Sequence, residues 1–543
     1  MTRIFLMTIL VVVLLPLGHG AGAAAAQADA PPIRLFDAFS KVNRIDELVL
    51  LELMKRKLPP SERCRDEVYI RRVFLDAIGT LPTSGEIRAF LADPASNKRI
   101  RLVEALLERS EFADYWALKW GDLLRVKSEF PSNLWPNAVQ AYHHWIRTCI
   151  RDNIPYDRFA RELLTASGSN FRSPPVNFFR AFQERLPLSI AENVALIFMG
   201  VRLSDAGFSQ DQICGFAAFF AKLGYKMTDE WKEEIVFVDT DPKPAETTGE
   251  KSEKEIKEAQ EAKPLIPMFP GGKALTLAPD QDPRCVFADW LTAPGNPWFA
   301  RCMANRVWYW LMGRGLVHEP EDMKPGNLAW SPELLTYLER ELAGNKFNVR
   351  HLFKLILTSA TYQLSSQTNR WNQADETGCS HYRIRRIDAE PLVDAICLIT
   401  GVGEKYTSAI PEPFTFLPAD QRAIALADGS IESPFLELFG RPPRNTSYES
   451  ERVSTPSVFQ SQYLLNSSQV QRKIEQSKTL QQLATSKQKP LEELYLRVLS
   501  RFPTDEERRA IQAYMADPKR KPAASFYDVV WALINSKEFI LKH

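Results

Sequence analysis

Five residues within one short stretch have the side chains needed to bind an acidic ligand. Arg301, Arg306 and Arg314 are followed by Asp322, and Trp308 stands between the second and third arginine. A guanidinium group binds carboxylate, sulfate or phosphate oxygens through paired hydrogen bonds, and an indole ring can pack against a sugar. These five residues are therefore a candidate pocket for an anionic polysaccharide.

The same stretch also has a structural interpretation, which the sequence leaves open. Arginines in an apolar helical setting need carboxylate partners, and Asp289 and Asp322 are close enough in sequence to serve. Phe299, Met303 and Trp310 recur with Arg306 at helical steps, which is typical of one buried helix face. On this interpretation the arginines tie helices together.

No sequence motif selects a reaction. The chain has no G-x-S-x-G, P-loop, GxGxxG or HExxH pattern, and its 67 acidic residues offer too many carboxylate pairs to choose one. His318 lies near Glu319, Glu321 and Asp322, which could form a metal or acid–base cluster, although a polar turn explains the same pattern. Whether the protein is an enzyme stays open, and its catalytic residues are unknown.

Composition narrows the class of protein. The 543 residues are enough for two or three domains, and 45% hydrophobic with 25% charged residues is ordinary for globular proteins. A net charge of +1 gives no reason to expect a nucleic-acid partner, because such proteins carry strongly basic surfaces.

Residues 1–26 have the pattern of a signal peptide. Arg3 precedes an apolar run from Ile4 to Leu15, and Ala24 to Ala26 supply the small residues of a cleavage site. We expect export to the periplasm or cell surface, with no stable membrane span after cleavage. An uncleaved anchor is the alternative, which the shortness of the apolar run disfavours.

Apolar periodicity predicts an all-α or nearly all-α protein of two packed multi-helix domains. Helical patterns run from Val42 to about Tyr225 and again from Arg284 to His543. Residues 239–265 are rich in Lys, Glu, Pro and Thr, and predict a disordered charged linker. The one strand candidate is Glu234 to Val238.

The two ends of the chain resemble each other. Thr83-x-x-Glu86 and Thr504-x-x-Glu507 both follow an apolar helical pattern and predict capping boxes, and an Asp-Pro pair ends the next helix in each case. We infer a duplicated three-helix module, which would close the chain on itself if its copies dock. Coincidence among common capping motifs is the alternative.

Many short motifs together resemble one bacterial family. They are Arg71-Arg72-x-x-Leu75-Asp76, Tyr115-Trp116-x-x-x-Trp120-x-Asp122, Asn305-Arg306-Val307-Trp308, Gly313-Arg314-Gly315, Asp388-Ala389-Glu390 and Glu449-x-Glu451-Arg452. The family is a planctomycetal pair of domains: a cytochrome-associated planctomycetal domain, here residues 40–226, and a planctomycete-specific domain of unknown function, here 280–543. The resemblance implies no known reaction.

The chain departs from this family in one respect that bears on cofactors. Relatives commonly carry a Cys-x-x-Cys-His-like motif between the equivalents of Arg202 and Phe219, whereas this stretch contains Cys214 alone and no histidine. Tyr448 also stands where relatives usually have a cysteine. We therefore predict no cofactor and no metal ligands, and the hypothesis of a haem or metal redox protein is disfavoured.

We expect an exported cell-envelope protein that acts by binding or scaffolding in an envelope complex, with envelope proteins as partners. Binding or processing of an anionic polysaccharide, at the five residues named first, is the alternative hypothesis.

Overall fold

The computed structural model describes residues 33–239, 266–278, 280–486 and 489–543. The predicted signal peptide and, apart from its first residue, the predicted linker lie outside these ranges. The described chain is mostly helical, as the periodicity predicts.

Within the described ranges, eleven helices precede the predicted linker. Numbered α1 to α11, they are Arg34–Asp37, Arg44–Arg56, Asp66–Ala77, Ser84–Ala92, Lys98–Leu107, Ser110–Leu123, Pro136–Arg151, Tyr156–Leu164, Asn177–Arg180, Pro187–Val194 and Gln210–Ala217. Helix α10 runs directly into a π-helical turn over Ala195–Met199. Such turns leave the regular hydrogen-bonding pattern and so free backbone carbonyls for other donors.

Thirteen helices follow the predicted linker in the part of the chain that the structure describes. Numbered α12 to α24, they are Pro283–Leu291, Phe299–Met312, Pro332–Gly344, Val349–Thr358, Ala389–Thr400, Pro434–Leu438, Val458–Asn466, Ser468–Gln476, Lys478–Thr485, Pro490–Leu499, Asp505–Met515, Pro522–Ile534 and Lys537–Ile540. Several begin with proline at the first helical position, where its missing N–H costs no hydrogen bond. None of the helices in the described ranges is long and apolar enough to cross a membrane.

The described chain also contains five short strands. β1 (Gly168–Ser169), β2 (Leu223–Met227) and β3 (Glu234–Val238) form an antiparallel sheet in the order β1-β3-β2, and β4 (Arg385–Arg386) pairs with β5 (Leu541–Lys542). The predicted strand at 234–238 is confirmed. The helical pattern extended to Tyr225 was wrong at its end, because residues 223–225 pair with β3 instead.

Two hydrophobic clusters form the core, and they do not divide at the predicted linker. The larger cluster joins residues on both sides of it: Tyr156 of α8 stacks on Phe299 of α13 with ring centroids 4.4 Å apart. The smaller cluster combines Leu75 and Leu81 with residues from Ile387 to Phe539. The domain boundaries 40–226 and 280–543 stay predictions, and packing crosses between them.

The two ends of the chain contact each other. Both predicted capping boxes are present, at Thr83 and at Thr504. Helix α4 packs against α21, and the Nη1 group of Arg71 in α3 donates to the carbonyl of Val498 at 2.8 Å. That the two ends arose by duplication stays a prediction.

Candidate functional site

One cleft of about 240 Å³ concentrates charged and aromatic side chains from both halves of the chain. We call it the charged cleft. Its aromatic and ionisable lining residues are Tyr115, Trp116, Lys119, Tyr309, Trp310, Arg383, Arg385, Asp388, Glu449, Arg452 and Lys542. Ser454, Thr455 and Pro456 form part of its rim.

Regular elements bring these side chains together. Tyr115 and Lys119 are four residues apart on α6, so they share one face of that helix. Tyr309 and Trp310 come from α13, and Asp388 is the residue before α16. Lys542 reaches the cleft because β5 pairs with β4.

Asp76 lies behind one wall of the charged cleft, where its buried carboxylate accepts hydrogen bonds from several side chains. Its carboxylate forms ion pairs with the ammonium of Lys542, at an N···O distance of 2.9 Å, and with the guanidinium of Arg385, at 3.0 Å. The hydroxyls of Tyr362 and Tyr382 each donate to it at 2.9 Å. Burial alone would raise the pKa of Asp76, but the charges of Lys542 and Arg385 outweigh it and hold the pKa below its usual value.

Asp388 forms a second ion pair inside the cleft. The ammonium of Lys119 lies 2.6 Å from its carboxylate, and the hydroxyl of Tyr115 donates at 3.2 Å. Burial acts against ionisation here too, yet the nearby cations, Lys119 foremost, hold the pKa of Asp388 well below its usual range. Asp388 is therefore a carboxylate at neutral pH.

Arg452 connects the two predicted domains. Its guanidinium binds Glu390 of α16 through two hydrogen bonds, at 2.6 and 3.0 Å, and contacts Asp122 of α6 at 2.6 Å. Arg444 contacts the other oxygen of Asp122 at 2.9 Å. Removing one partner from such a buried network leaves an uncompensated charge, which is strongly destabilising.

Glu449 behaves differently from Asp388. Its Oε1 accepts from the indole N–H of Trp310 at 2.9 Å and lies 3.3 Å from Nε of Arg306. Burial, with a contribution from the neighbouring carboxyl of Glu321, raises the pKa of Glu449 to about 7. The two carboxyl groups that line the cleft are thus shifted in opposite directions: the pKa of Glu449 is raised and that of Asp388 is lowered.

The structure separates the five residues of the predicted anionic pocket. Arg306 is completely buried beside Glu449 and donates to the carbonyl of Ile197 in the π-helical turn at 2.7 Å. Arg301 pairs with Glu339 at 3.3 Å, and Asp322 pairs with Lys324 at 3.1 Å. Trp308 and Arg314 line a second, smaller pocket next to the charged cleft.

The partners suggested for the arginines were wrong. Asp289 pairs with Arg161, and Asp322 contacts Lys324, so neither neutralises Arg306. The partner of Arg306 is Glu449, far along the chain, and tertiary packing rather than local spacing brings it near. The residues around His318 also disperse: Glu321 is buried and accepts from the backbone N–H of Glu449, while Glu319 pairs with Arg202.

Sequence reasoning did not select Lys119, Asp388, Glu449 and Lys542 as site residues. Asp388 and Glu449 stood in the family motifs, but nothing in their spacing shows that they meet. Among the described residues, no group of three or more His, Cys, Asp and Glu side chains is arranged to hold a metal ion.

Comparison with known families identifies both halves of the chain. Residues 44–204 match PSCyt2, described as a protein of unknown function (DUF1549), and residues 283–515 match PSD1, described as a protein of unknown function (DUF1553). The chain belongs to the planctomycetal family defined by this cytochrome-associated domain and its C-terminal partner. No curated protein and no solved structure matches the chain.

The charged cleft lies where the family motifs of the two halves meet. Asp76, Tyr115 and Asp122 come from the first matched region, and Asp388 and Glu449 from the second. The same side chains that join the halves therefore also line or support the cleft.

Proposed function

We propose that the protein is an exported cell-envelope protein that acts by binding, and that its charged cleft binds an anionic polysaccharide. One observation carries the proposal: four aromatic side chains line a single cleft together with five cationic ones, of which Arg383 makes no ion pair with any described residue. Aromatic rings pack against sugar rings, and guanidinium and ammonium groups attract acidic substituents. Export is supported by the signal-peptide pattern of residues 1–26.

Tyr309 offers the sharpest test, because it lines the cleft without belonging to the ion-pair network. We expect Tyr309→Ala to weaken binding of polygalacturonate oligosaccharides about tenfold through loss of ring packing. Calorimetric titration measures the affinity, with neutral dextran as the comparison ligand. Tyr337→Ala is the matched control, because Tyr337 is also half-buried but lies on α14, outside the cleft lining. Equal affinity in both variants, or equal binding of dextran, would contradict the proposal.

Scaffolding in an envelope complex is the second candidate, and exposed apolar residues beside the cleft rim favour it. Val458 and Phe459 at the start of α18 are 70% and 72% exposed, a few residues after Pro456. Exposed apolar groups next to one another are typical of protein contact sites.

A cross-linked pull-down from the native envelope tests scaffolding. We expect a recurrent protein partner that is lost with Phe459→Ser and retained with Phe416→Ser, a similarly exposed phenylalanine elsewhere. Recovery of the same proteins with both variants, or of none, would count against this candidate.

A further inference from the structure

A second pocket lies beside the charged cleft and differs from it in how its cationic side chains are paired. It is lined by Trp308, Arg314, Trp330, Cys379, His381 and Arg383 among others, and we call it the arginine pocket. Arg383 also lines the charged cleft, so the two spaces share a wall. In the charged cleft, Lys119, Arg385, Arg452 and Lys542 each have a carboxylate partner.

The arginine pocket instead presents donors that have no acceptor. Within the described ranges, neither Arg314 nor Arg383 makes a hydrogen bond or an ion pair with another residue. Nε1 of Trp330 is buried and also lacks a hydrogen-bond partner there. Each guanidinium carries five N–H donors and no acceptor, and both arginines are half-buried. The indole N–H of Trp330 is the buried donor of the three, and buried polar groups are normally hydrogen-bonded. Two cations and a buried N–H without a protein partner in one pocket fit a ligand rich in acceptor oxygens.

The charges around the pocket favour an anion. Burial lowers the pKa of Arg314, and the positive charge of Arg383 lowers it further, because the two cations repel each other. The nearby carboxylate of Asp375 already accepts from the backbone N–H of Gly378 at 2.7 Å and from the hydroxyl of Ser380 at 2.5 Å. Burial lowers the pKa of His381 more than Asp375 raises it, so the ring is neutral at pH 7.

Arg56 adds a third cation at the edge of this region. Its guanidinium lies over the ring of Trp330, 5.3 Å from the centroid, and donates to the backbone carbonyl of the same residue at 3.0 Å. An exposed cation at a pocket entrance raises the local concentration of anions. Its stacking on Trp330 also holds that indole in place.

We propose that the arginine pocket binds a compact oxyanion, sulfate or phosphate, between Arg314 and Arg383. The two guanidinium groups supply charge-assisted hydrogen bonds to its oxygens, and the indole N–H of Trp330 supplies a neutral one. Trp308 forms an apolar wall of the site. The anion is bound either free or as an ester on a larger molecule, whatever the charged cleft binds.

Titration of the full chain with sodium sulfate and with potassium phosphate tests the proposal. We expect saturable binding that Arg314→Gln and Arg383→Gln each weaken about tenfold. Arg340→Gln is the matched control, because Arg340 is an exposed arginine on α14 that makes no ion pair with any residue the structure describes. Wild-type affinity in all three variants, or no saturable binding of either anion by the wild-type protein, would overturn it.

A thermal-shift measurement guards against misfolded variants. Sulfate should raise the melting temperature of the wild type and of Arg340→Gln, because a ligand that binds only the folded state stabilises it. Sulfate should leave the melting temperature of Arg314→Gln unchanged, and this variant must still melt cooperatively. A full rise in the melting temperature of that variant would contradict the site. If dextran sulfate binds more tightly than free sulfate, the natural ligand is a sulfate ester. If the affinity per sulfate group is equal, the ligand is the free anion.

Discussion

Glu449 is the residue whose protonation most directly affects the charged cleft. Its pKa of about 7 lies above the value of about 4.3 that an unfolded glutamate has. Between these two values the folded state binds the proton and the unfolded state releases it. Raising the pH through this window therefore lowers the free energy of unfolding.

We predict that Glu449→Gln removes this pH dependence. The amide can still accept from Trp310 but does not titrate, so the variant should lose less stability than the wild type between about pH 4.3 and pH 7. At about 1.4 kcal/mol per pKa unit, the difference amounts to roughly 3 kcal/mol at most. Urea denaturation at several pH values measures it.

Glu376→Gln serves as the control, because Glu376 is exposed and its substitution should leave the wild-type profile unchanged. If Glu449→Gln follows the wild-type profile over the same window, the raised pKa is refuted. Below about pH 4 both proteins should lose stability, since Asp76 and Asp388 must then take up protons despite their lowered pKa values.

The chemistry of single residues was partly predictable from the sequence. The expectation that Arg306 either binds a ligand or makes a buried ion pair follows from its apolar helical surroundings, and the ion pair is what the structure contains. Its partner could not be predicted, because Glu449 lies 143 residues away and only packing of the two halves brings it near. Arg314 has similar sequence surroundings but no carboxylate partner among the described residues.

Helix α22 depends on the capping box at its start. The hydroxyl of Thr504 accepts from the backbone N–H of Glu507 at 3.2 Å, and the Glu507 carboxylate accepts from the N–H of Thr504 at 2.8 Å. We predict that Thr504→Ala lowers the free energy of unfolding by about 1 kcal/mol, because one backbone donor loses its acceptor. Urea denaturation checks the value.

Thr504→Ser is the matched control, since serine keeps the hydroxyl and should retain most of the stability. Thr83→Ala at the start of α4 should lower the free energy of unfolding by about the same amount, because the same capping box is present there. Equal stability of Thr504→Ala and Thr504→Ser would show that the cap contributes nothing.

Capping motifs and apolar periodicity predict helices well because both signals are local. Strand β3 was also predictable from its run of β-branched and aromatic residues, Glu234 to Val238. Strand β2 was not, because Gly224 and its neighbours have no strong preference and become a strand only by pairing with β3. The pairing of β4 with β5 joins residues more than 150 positions apart, and no local sequence pattern predicts it.

At the scale of the whole molecule, Lys542 and Asp76 form an ion pair across 466 residues of chain. Both side chains are almost fully buried. We predict that Lys542→Met lowers the free energy of unfolding by about 3 kcal/mol, because Asp76 then keeps a single cation, Arg385. Chemical denaturation measures the loss, and Lys537→Met at an exposed site of α24 should cost little.

Lys542→Met combined with Asp76→Asn should recover part of the loss, because the buried charge is removed together with its partner. Strictly additive losses in the double variant would mean that the two residues do not interact. The sequence raised contact between the two chain ends only as a condition, if the copies of the inferred module dock, and it did not predict that the two halves share one core cluster.

The position of Asp76 near the start of the chain also bears on the order of events during synthesis. Its two cationic partners are added 309 and 466 residues later, so an early N-terminal portion holds a carboxylate that it cannot bury without great cost. The larger core cluster likewise needs α12 to α15 before it can close. We therefore expect the chain to reach its native state only after most of the residues that complete these contacts have been made.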